Sequence, residues 1–373
     1  MEPAASAAAR IIDDVDTTQR LRAWTHGRQR LGDQAATPLE AIASVVAVYS
    51  AHPTAPLALS ARCRTMNAAA FRELDLRRLA LRVPGMRGSQ FLAPRDHAAR
   101  VFGAFRMTPS VLAARLRRCD LTPDQYADMA DRILASATQP RLPKEFHAVT
   151  GRSGLELSVV LNTLRVQGRM LCVAGGSLRT SNLRYVATDS WAPGALQVAD
   201  RDRAVAEVAG DYLRGYGPAR VADFAWWAGL PKGLAQSALA MHTTIDVEDG
   251  LLLHKDDEGP FSTVTPLRGT VDLLPKWDAY TMGFAPDGRA RLVHPDNQPN
   301  IYVTKGRVAP GQPNIGLPGD GFPVVLVDGE AVGTWNVTVA GASVALFDTA
   351  GPVTRRRLEE RLDGVRALLS EPA

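Results

Sequence analysis

The order of predicted helices and strands recurs in the middle of the chain, and this recurrence most limits the folds open to it. Helical patterns at Ser110–Arg118, Thr122–Ala137 and Ser153–Leu164 precede two β-like runs, Met170–Val173 and Leu183–Ala187, joined across a Gly-Gly-Ser turn. The order then recurs. Three more helical patterns, over Ala199–Tyr216, Pro218–Ala228 and Pro231–Met241, come first. Two short strands follow, Thr244–Glu248 and Leu251–His254, joined by a Glu-Asp-Gly turn. Such self-similarity indicates repeated supersecondary units.

Capping signals predict where several helices begin. Thr122-Pro-Asp-Gln125 and Ser153-Gly-Leu-Glu156 each have the spacing of a capping box, in which the first side chain and the fourth satisfy each other's backbone amides. Thr37 followed by Pro38 predicts the start of a buried helix over Pro38–Val48. Arg62–Arg82 continues as a helical pattern with leucines at core-like spacing.

Three helices followed by a short hairpin is the order of a winged helix, a variant of the helix-turn-helix plan. From Pro266 the sequence changes to short apolar runs punctuated by Gly and Pro, which favours antiparallel strands, and Thr354–Leu369 predicts a last helix. The expected fold is therefore α+β: tandem winged-helix domains followed by a small C-terminal antiparallel β-barrel and a terminal helix. The predicted boundaries are 1–94, 95–197, 198–265 and 266–373.

Composition describes a folded chain and excludes several classes of protein. With 373 residues, 46% of them hydrophobic, the chain can form two or more cores, and its net charge of +4 permits an acidic partner without identifying one. The three cysteines are far apart, and no His or Cys spacing suits a metal, so we expect no disulfide framework, no metal and no cofactor. No signal peptide or membrane span is evident, which predicts a cytoplasmic protein.

Four segments carry a resemblance to a known family. Asp211–Leu230 contains Tyr-Leu, Gly-Pro-Ala and Asp-Phe-Ala-Trp-Trp-Ala-Gly-Leu; Val271–Gly283 contains Leu-Leu-Pro-Lys-Trp-Asp-Ala-Tyr; Asp328–Trp335 reads Asp-Gly-Glu-Ala-Val-Gly-Thr-Trp; and Met86–Leu92 reads Met-Arg-Gly-Ser-Gln-Phe-Leu. In their order along the chain they resemble motifs of the bacterial winged-helix DNA glycosylases of the AlkZ and YcaQ type, except that Phe91 replaces a family histidine. The resemblance implies three tandem winged helices and a β-barrel around duplex DNA, and hydrolysis of the N-glycosidic bond of alkylated purines, including crosslinked ones.

The family motif Gln-x-Gln or Gln-x-Asp, which carries the chemistry, is replaced in this sequence. The resemblance aligns Tyr49 and Ala51 with its two polar residues, and Ala51 cannot hold or orient a water molecule. His52 is the nearest residue that can accept a proton near neutral pH. Tyr49 and His52 are therefore the candidate catalytic residues; alternatively, His52 caps a helix end before Pro53 and Tyr49 fills a groove.

Ten polar residues are candidates for DNA contact, from the Met86–Leu92 segment, from a predicted recognition helix and its wing, and from a Gly- and Pro-rich hairpin within Tyr302–Gly319 that suits a groove. They are Arg87, Gln90, Asn162, Arg165, Arg179, Arg184, Lys305, Arg307, Gln312 and Asn314. The alternative for each is an ordinary solvated surface position.

Three functions remain open from the sequence. The first is a monofunctional DNA glycosylase, favoured by the retained barrel and hairpin motifs. The second is a non-catalytic DNA-binding sensor or regulator, favoured by the replaced catalytic motif. The third is a structural or protein-interaction role without DNA. Under either DNA hypothesis, the expected partner is double-stranded DNA and the expected state is a monomer.

Overall fold

The computed structural model describes residues 17–51, 53–117, 121–198, 200–303, 320–338 and 341–370. The fold is α+β, with helices and antiparallel sheets. The helices are α1 (Thr17–Arg28), α2 (Pro38–Ala43), α3 (Thr54–Ser60), α4 (Ala68–Leu76), α5 (Arg95–Phe105), α6 (Pro109–Arg117), α7 (Pro123–Ser136), α8 (His147–Thr150), α9 (Gly154–Val166), α10 (Thr188–Trp191), α11 (Arg201–Tyr216), α12 (Val221–Ala228), α13 (Lys232–Leu239), α14 (Glu258–Ser262), α15 (Ala279–Met282), α16 (Gln298–Ile301) and α17 (Pro352–Ser370). The strands are β1 (Val48–Tyr49), β2 (Ala80–Pro84), β3 (Gln90–Pro94), β4 (Met170–Val173), β5 (Arg184–Ala187), β6 (Thr244–Asp246), β7 (Leu252–His254), β8 (Val271–Leu274), β9 (Val324–Val327), β10 (Glu330–Thr338) and β11 (Gly341–Leu346).

The chain divides into two compact units. Among the described residues, the first unit contains 17–45, 56–67 and 209–370, and the second unit contains 46–55 and 68–208.

A five-stranded sheet forms the centre of the second unit, with the strand order β1-β3-β2-β4-β5. The β2–β3 and β4–β5 hairpins join where β2 pairs with β4, through the partners Arg82 and Cys172. Strand β1 is therefore one edge of a sheet assembled from residues distant in sequence.

Helices α7 and α9 contribute to an apolar core in the second unit. Ile133, Val160 and Leu164 are fully buried there, together with Met170 from β4. The predicted capping box at Thr122 is confirmed, because Thr122 Oγ1 accepts from Gln125 N at 3.2 Å and Thr122 N donates to Gln125 Oε1 at 2.9 Å. Apolar burial and a local cap thus fix this helix pair.

The second predicted capping box is wrong. Helix α9 does begin after Ser153, but the Ser153 side chain makes no cap hydrogen bond. Glu156 instead pairs with Arg152 at 3.0 Å. An arginine next to the box offered the carboxylate a charged partner in place of the backbone amide.

The predicted helix over Arg62–Arg82 is also wrong in its second half. Helix α4 ends at Leu76, Arg78 adopts a left-handed φ of 56°, and the chain continues as β2. Leu79, Leu81 and Val83 recur every second residue, which is the spacing of a strand. The apolar residues in this short run matched the spacing of a helix as well as that of a strand.

A four-stranded antiparallel sheet in the first unit has the order β11-β10-β9-β8. Within the described residues it is open, with β8 and β11 at its edges, so the strands described do not form the predicted closed barrel. Helix α17 confirms the predicted terminal helix, and its predicted apolar positions are all buried: Leu358, Leu362, Val365, Leu368 and Leu369.

The first unit also contains the second occurrence of three helices and a hairpin. Helices α11, α12 and α13 are followed by the antiparallel pair β6–β7. Stacked and tilted aromatic rings fill the space between α11 and α12, with Tyr212 and Tyr216 at 4.8 Å and Tyr212 and Trp227 at 5.0 Å. The signature-like segment Asp211–Leu230 therefore supplies a core.

Candidate nucleic-acid interface

The candidate catalytic segment lies on the edge strand of the second unit. Val48 pairs with Leu92 and Tyr49 pairs with Phe91. Ser50 N then donates to Gln90 O at 3.0 Å. The structure thus fixes Tyr49 next to the Met86–Leu92 segment, while the other candidate, His52, lies outside the described residues.

The backbone immediately before this strand is strained. Val46 has a φ of 68° and is only 1% exposed. A β-branched residue in the left-handed region is a genuine outlier, and such conformations cost about 1–3 kcal/mol and cluster at functional sites. Because Val46 lies three residues before Tyr49, the strain occurs where the chain turns into the candidate segment.

Tyr49 and Phe91 form an edge-to-face ring pair, with centroids 5.8 Å apart and planes at 82°. Both side chains are partly exposed. The resemblance places Tyr49 at a family glutamine and Phe91 at a family histidine, so the structure brings two replaced positions into contact. Aromatic rings here present an apolar face on which a nucleobase can stack.

The described part of the candidate segment offers little acid–base chemistry. Val48–Ala51 contains no carboxylate, amide side chain or imidazole. Its hydroxyls belong to Tyr49 and to Ser50, which is only 3% exposed. Within these four residues, therefore, no side chain can act as a general base near neutral pH.

The turn between β2 and β3 carries Arg87. This residue is exposed and has φ 54° and ψ 24°, and Gly88 beside it also has a positive φ of 72°. Gly85 N donates to Ser89 O at 2.8 Å and closes the turn. A tight turn thus holds an exposed guanidinium at the end of the hairpin that contains Gln90 and Phe91.

Asn162 and Arg165 on α9 bind each other. Arg165 Nη2 and Nε donate to Asn162 Oδ1 at 2.6 and 3.2 Å, and both side chains are partly buried. Arg179 and Arg184, in and after the connection between β4 and β5, are exposed. The α9 pair is therefore held in place by its own hydrogen bonds, and the two hairpin arginines lie at the surface.

The structure brings the described candidates together in one unit. Tyr49 and the first six predicted DNA contacts all belong to the second unit: Arg87, Gln90, Asn162, Arg165, Arg179 and Arg184. The remaining four lie outside the described residues: Lys305, Arg307, Gln312 and Asn314.

Sequence reasoning missed a polar cluster around Cys172. Burial raises the pKa of the Cys172 thiol, against the opposing effects of the Gln90 amide and the charges of Arg165 and Arg82. Burial also raises the pKa of Tyr185, next to this thiol, to about 12. Arg82 follows two leucines in the run predicted to be helical, and only the period-two alternation of that run pointed to its place in the sheet.

The other signature-like segments stabilise the first unit. Arg62 donates to Asp278 Oδ2 and Oδ1, each at 2.8 Å, and both side chains are fully buried. Burial lowers the pKa of the Arg62 guanidinium, but the ion pair and hydrogen bonds with Asp278 raise it by more, so the pKa lies above its usual value. Trp335 Nε1 donates to Leu274 O at 2.8 Å, and Tyr280 Oη donates to Gly329 O at 2.9 Å. These motif residues are explained by packing and hydrogen bonding.

The described residues contain neither a metal-binding cluster nor a membrane-spanning helix. No group of three or more His, Cys, Asp or Glu side chains among them could hold a metal ion. Nor does any helix in this part of the chain have the length and apolarity needed to cross a membrane.

The class of fold is that of a solved DNA glycosylase. The structure is similar to Streptomyces sahachiroi DNA glycosylase AlkZ, with a TM-score of 0.74 and 17% sequence identity over 96% of this chain and 98% of that one. The family model for AlkZ-like DNA glycosylases matches residues 18–370. The chain therefore belongs to the AlkZ-like DNA glycosylase family. No curated protein matches the sequence.

Proposed function

We propose that this protein binds duplex DNA through its second unit and hydrolyses the N-glycosidic bond of an alkylated purine presented to the segment from Tyr49 to His52. One observation carries the proposal: the candidate segment is the edge strand of the unit that also holds every described candidate for DNA contact. Family membership supplies the reaction class. The strained backbone at Val46 supports a functional role for the same segment.

We propose that DNA binding uses winged-helix domains. The order of α6, α7 and α9 followed by β4–β5, and of α11, α12 and α13 followed by β6–β7, supports this assignment. The proposed domain limits are those predicted above, and the last domain, from residue 266, contains the open antiparallel sheet and the terminal helix. Exposed arginines in the second unit bind phosphates without reading sequence. The protein acts as a monomer in the cytoplasm.

In the proposed reaction, the target nucleotide leaves the base stack and its base stacks against Tyr49 and Phe91. His52 accepts a proton from a water molecule, whose oxygen bonds to the anomeric carbon as the bond to the purine nitrogen breaks. Alkylation at N7 places a positive charge on the purine, which then departs with the bonding electron pair as a neutral base. The products are an alkylated base and an abasic site.

A second candidate function is a non-catalytic lesion sensor. The contact between Tyr49 and Phe91 favours it, because an aromatic pair occupies two positions where the resemblance implies polar side chains. Ala51 adds no polar group. Such a surface stacks on a base without activating water.

The test scores abasic sites and binding in parallel on duplex DNA containing N7-methylguanine. The proposed glycosylase produces abasic sites, His52→Ala abolishes them with little change in affinity, and His294→Ala, at an exposed histidine, serves as the control. Binding without abasic sites supports the sensor. Unchanged cleavage in His52→Ala excludes this histidine as the base, and failure to bind DNA overturns both functions.

The segment between Val303 and Asp320 has its own test. If the predicted hairpin binds phosphates, replacing Lys305 and Arg307 by alanine weakens DNA binding and lowers the slope of log affinity against log salt by about 1 for each phosphate that is no longer neutralised. An unaltered slope removes the two side chains from the interface.

A further inference from the structure

Four polar side chains share one face of the five-stranded sheet in the second unit. Arg82 is the direct partner of Cys172, and Cys172 is the direct partner of Tyr185. Gln90 pairs with Pro84, two residues along β2 from Arg82. Because paired residues share a face and side chains alternate along a strand, these side chains point to the same side.

Several nitrogen donors in this cluster lack an acceptor among the described residues. Arg82 forms an ion pair with Asp75 through Nη1, but its Nε and Nη2 are buried without a partner. Arg165 uses Nε and Nη2 on Asn162, and its Nη1 is buried without a partner. Gln90 Nε2 is also buried without a hydrogen-bond partner. It lies beside the thiol of Cys172, and a neutral thiol is only a weak acceptor.

Buried donors without acceptors are costly and uncommon in native proteins, so this group needs an explanation. Two guanidinium groups and one amide match a ligand with several negatively charged oxygens. Asp75 offsets one of the two positive charges, and the other is left for the ligand.

The cluster lies near the surface on one side. Arg82 and Cys172 are 1% and 2% exposed, whereas Gln90, Arg165 and Tyr185 are only partly buried. A ligand therefore meets Gln90 and Arg165 first, with Arg82 behind them. The backbone carbonyl of Gln90 also accepts a hydrogen bond from Ser50 N, so this side of the cluster adjoins the candidate catalytic strand.

We propose that Gln90, Arg165 and Arg82 form an oxyanion site that binds a phosphate group. Its expected occupant is a backbone phosphate of the bound DNA, an assignment that rests on the proposed function. The site itself does not depend on that function, because free inorganic phosphate offers the same oxygens.

The first experiment titrates inorganic phosphate into the full chain by calorimetry. The unmodified protein is expected to bind phosphate, and Arg165→Met, which keeps the aliphatic stem, is expected to weaken binding at least tenfold. Gln90→Glu keeps the size of the side chain and replaces the donor with a carboxylate, so it should abolish binding. The control is Arg132→Met, at an exposed arginine on α7 that pairs with Asp128.

The second experiment measures duplex DNA affinity against salt for the same variants. A slope lowered by about 1 in Arg165→Met and unchanged in Arg132→Met identifies the occupant as a DNA phosphate. Loss of phosphate binding with an unchanged DNA slope keeps the site and assigns it to a free phosphate compound. Absence of phosphate binding to the unmodified protein, or equal phosphate binding by Arg165→Met, overturns the site, whereas a protein that binds phosphate but no DNA refutes only the proposed function.

Discussion

The buried ion pair between Arg62 and Asp278 gives a sharp test of what stabilises the first unit. In Asp278→Asn the side-chain oxygen that accepts from Tyr280 N at 2.9 Å is kept, so the start of α15 stays capped. The negative charge is lost, and an NH2 donor replaces Oδ2, which accepts from Arg62 Nη1. The guanidinium of Arg62 is 0% exposed and then retains only neutral acceptors, at Ala58 O, Gln29 Oε1 and the oxygen kept at position 278. Breaking one side of such a pair costs about 3–5 kcal/mol.

Urea denaturation followed by tryptophan fluorescence measures this loss as a change in the free energy of unfolding. The matched control is Asp287→Asn, whose carboxylate binds Arg220 but is 70% exposed and should contribute at most about 1 kcal/mol. The double variant Arg62→Met/Asp278→Asn removes both charges and should be more stable than Asp278→Asn alone. A cost below about 1 kcal/mol for Asp278→Asn, or a double variant whose loss equals the sum of the two single losses, would refute the reasoning.

Three further predictions concern a cap, a phenol and a thiol. Thr122→Ala should lower the free energy of unfolding by about 1 kcal/mol, while Ser153→Ala, at a serine that makes no cap bond, should change it little; equal losses in urea titrations would contradict this. Burial raises the pKa of Tyr302 to about 12, so its contribution to the free energy of unfolding is complete below pH 10 and is lost between pH 10 and 12. In Tyr302→Phe the fall in the free energy of unfolding over that range should therefore be shallower. An identical fall would contradict the raised pKa of this phenol. Because burial raises its pKa, Cys172 should resist a thiol reagent at about pH 8 until the protein unfolds, and rapid native labelling of this residue in a Cys119→Ala background would be inconsistent with the structure.

Local sequence signals were sufficient for the short hairpins and for the helices α6, α7, α9, α11, α12, α13 and α17. The helix predicted over Pro38–Val48 ends at Ala43, and Val48 lies in strand β1. The capping box at Thr122 formed as expected, whereas Glu156 pairs with Arg152 and not with the backbone at Ser153. The run containing Leu79 and Leu81 matched both helical and strand spacing. The helix ends before Arg78, which adopts a left-handed φ, and the run continues as a strand. Local patterns therefore fail where a neighbouring residue or a single backbone angle changes the outcome.

Features that depend on distant partners were not predictable from the sequence. Arg62 and Asp278 are separated by 216 positions, and no periodicity links them. Tyr49 was selected from the family resemblance, but its contact with Phe91 follows only from the pairing of β1 with β3. The left-handed Val46 has no sequence signal at all, because valine is among the residues least suited to that conformation.

The position of β2 between β3 and β4 has a consequence for synthesis and for truncation. While the ribosome has not yet produced β4, one side of β2 presents unpaired backbone groups beside the apolar Leu81 and Val83. A fragment that ends near residue 94 keeps this open edge permanently, which invites pairing with another copy and aggregation. In the nascent chain the same edge stays exposed until β4 is synthesised, because the pairing of Arg82 with Cys172 joins residues distant in sequence.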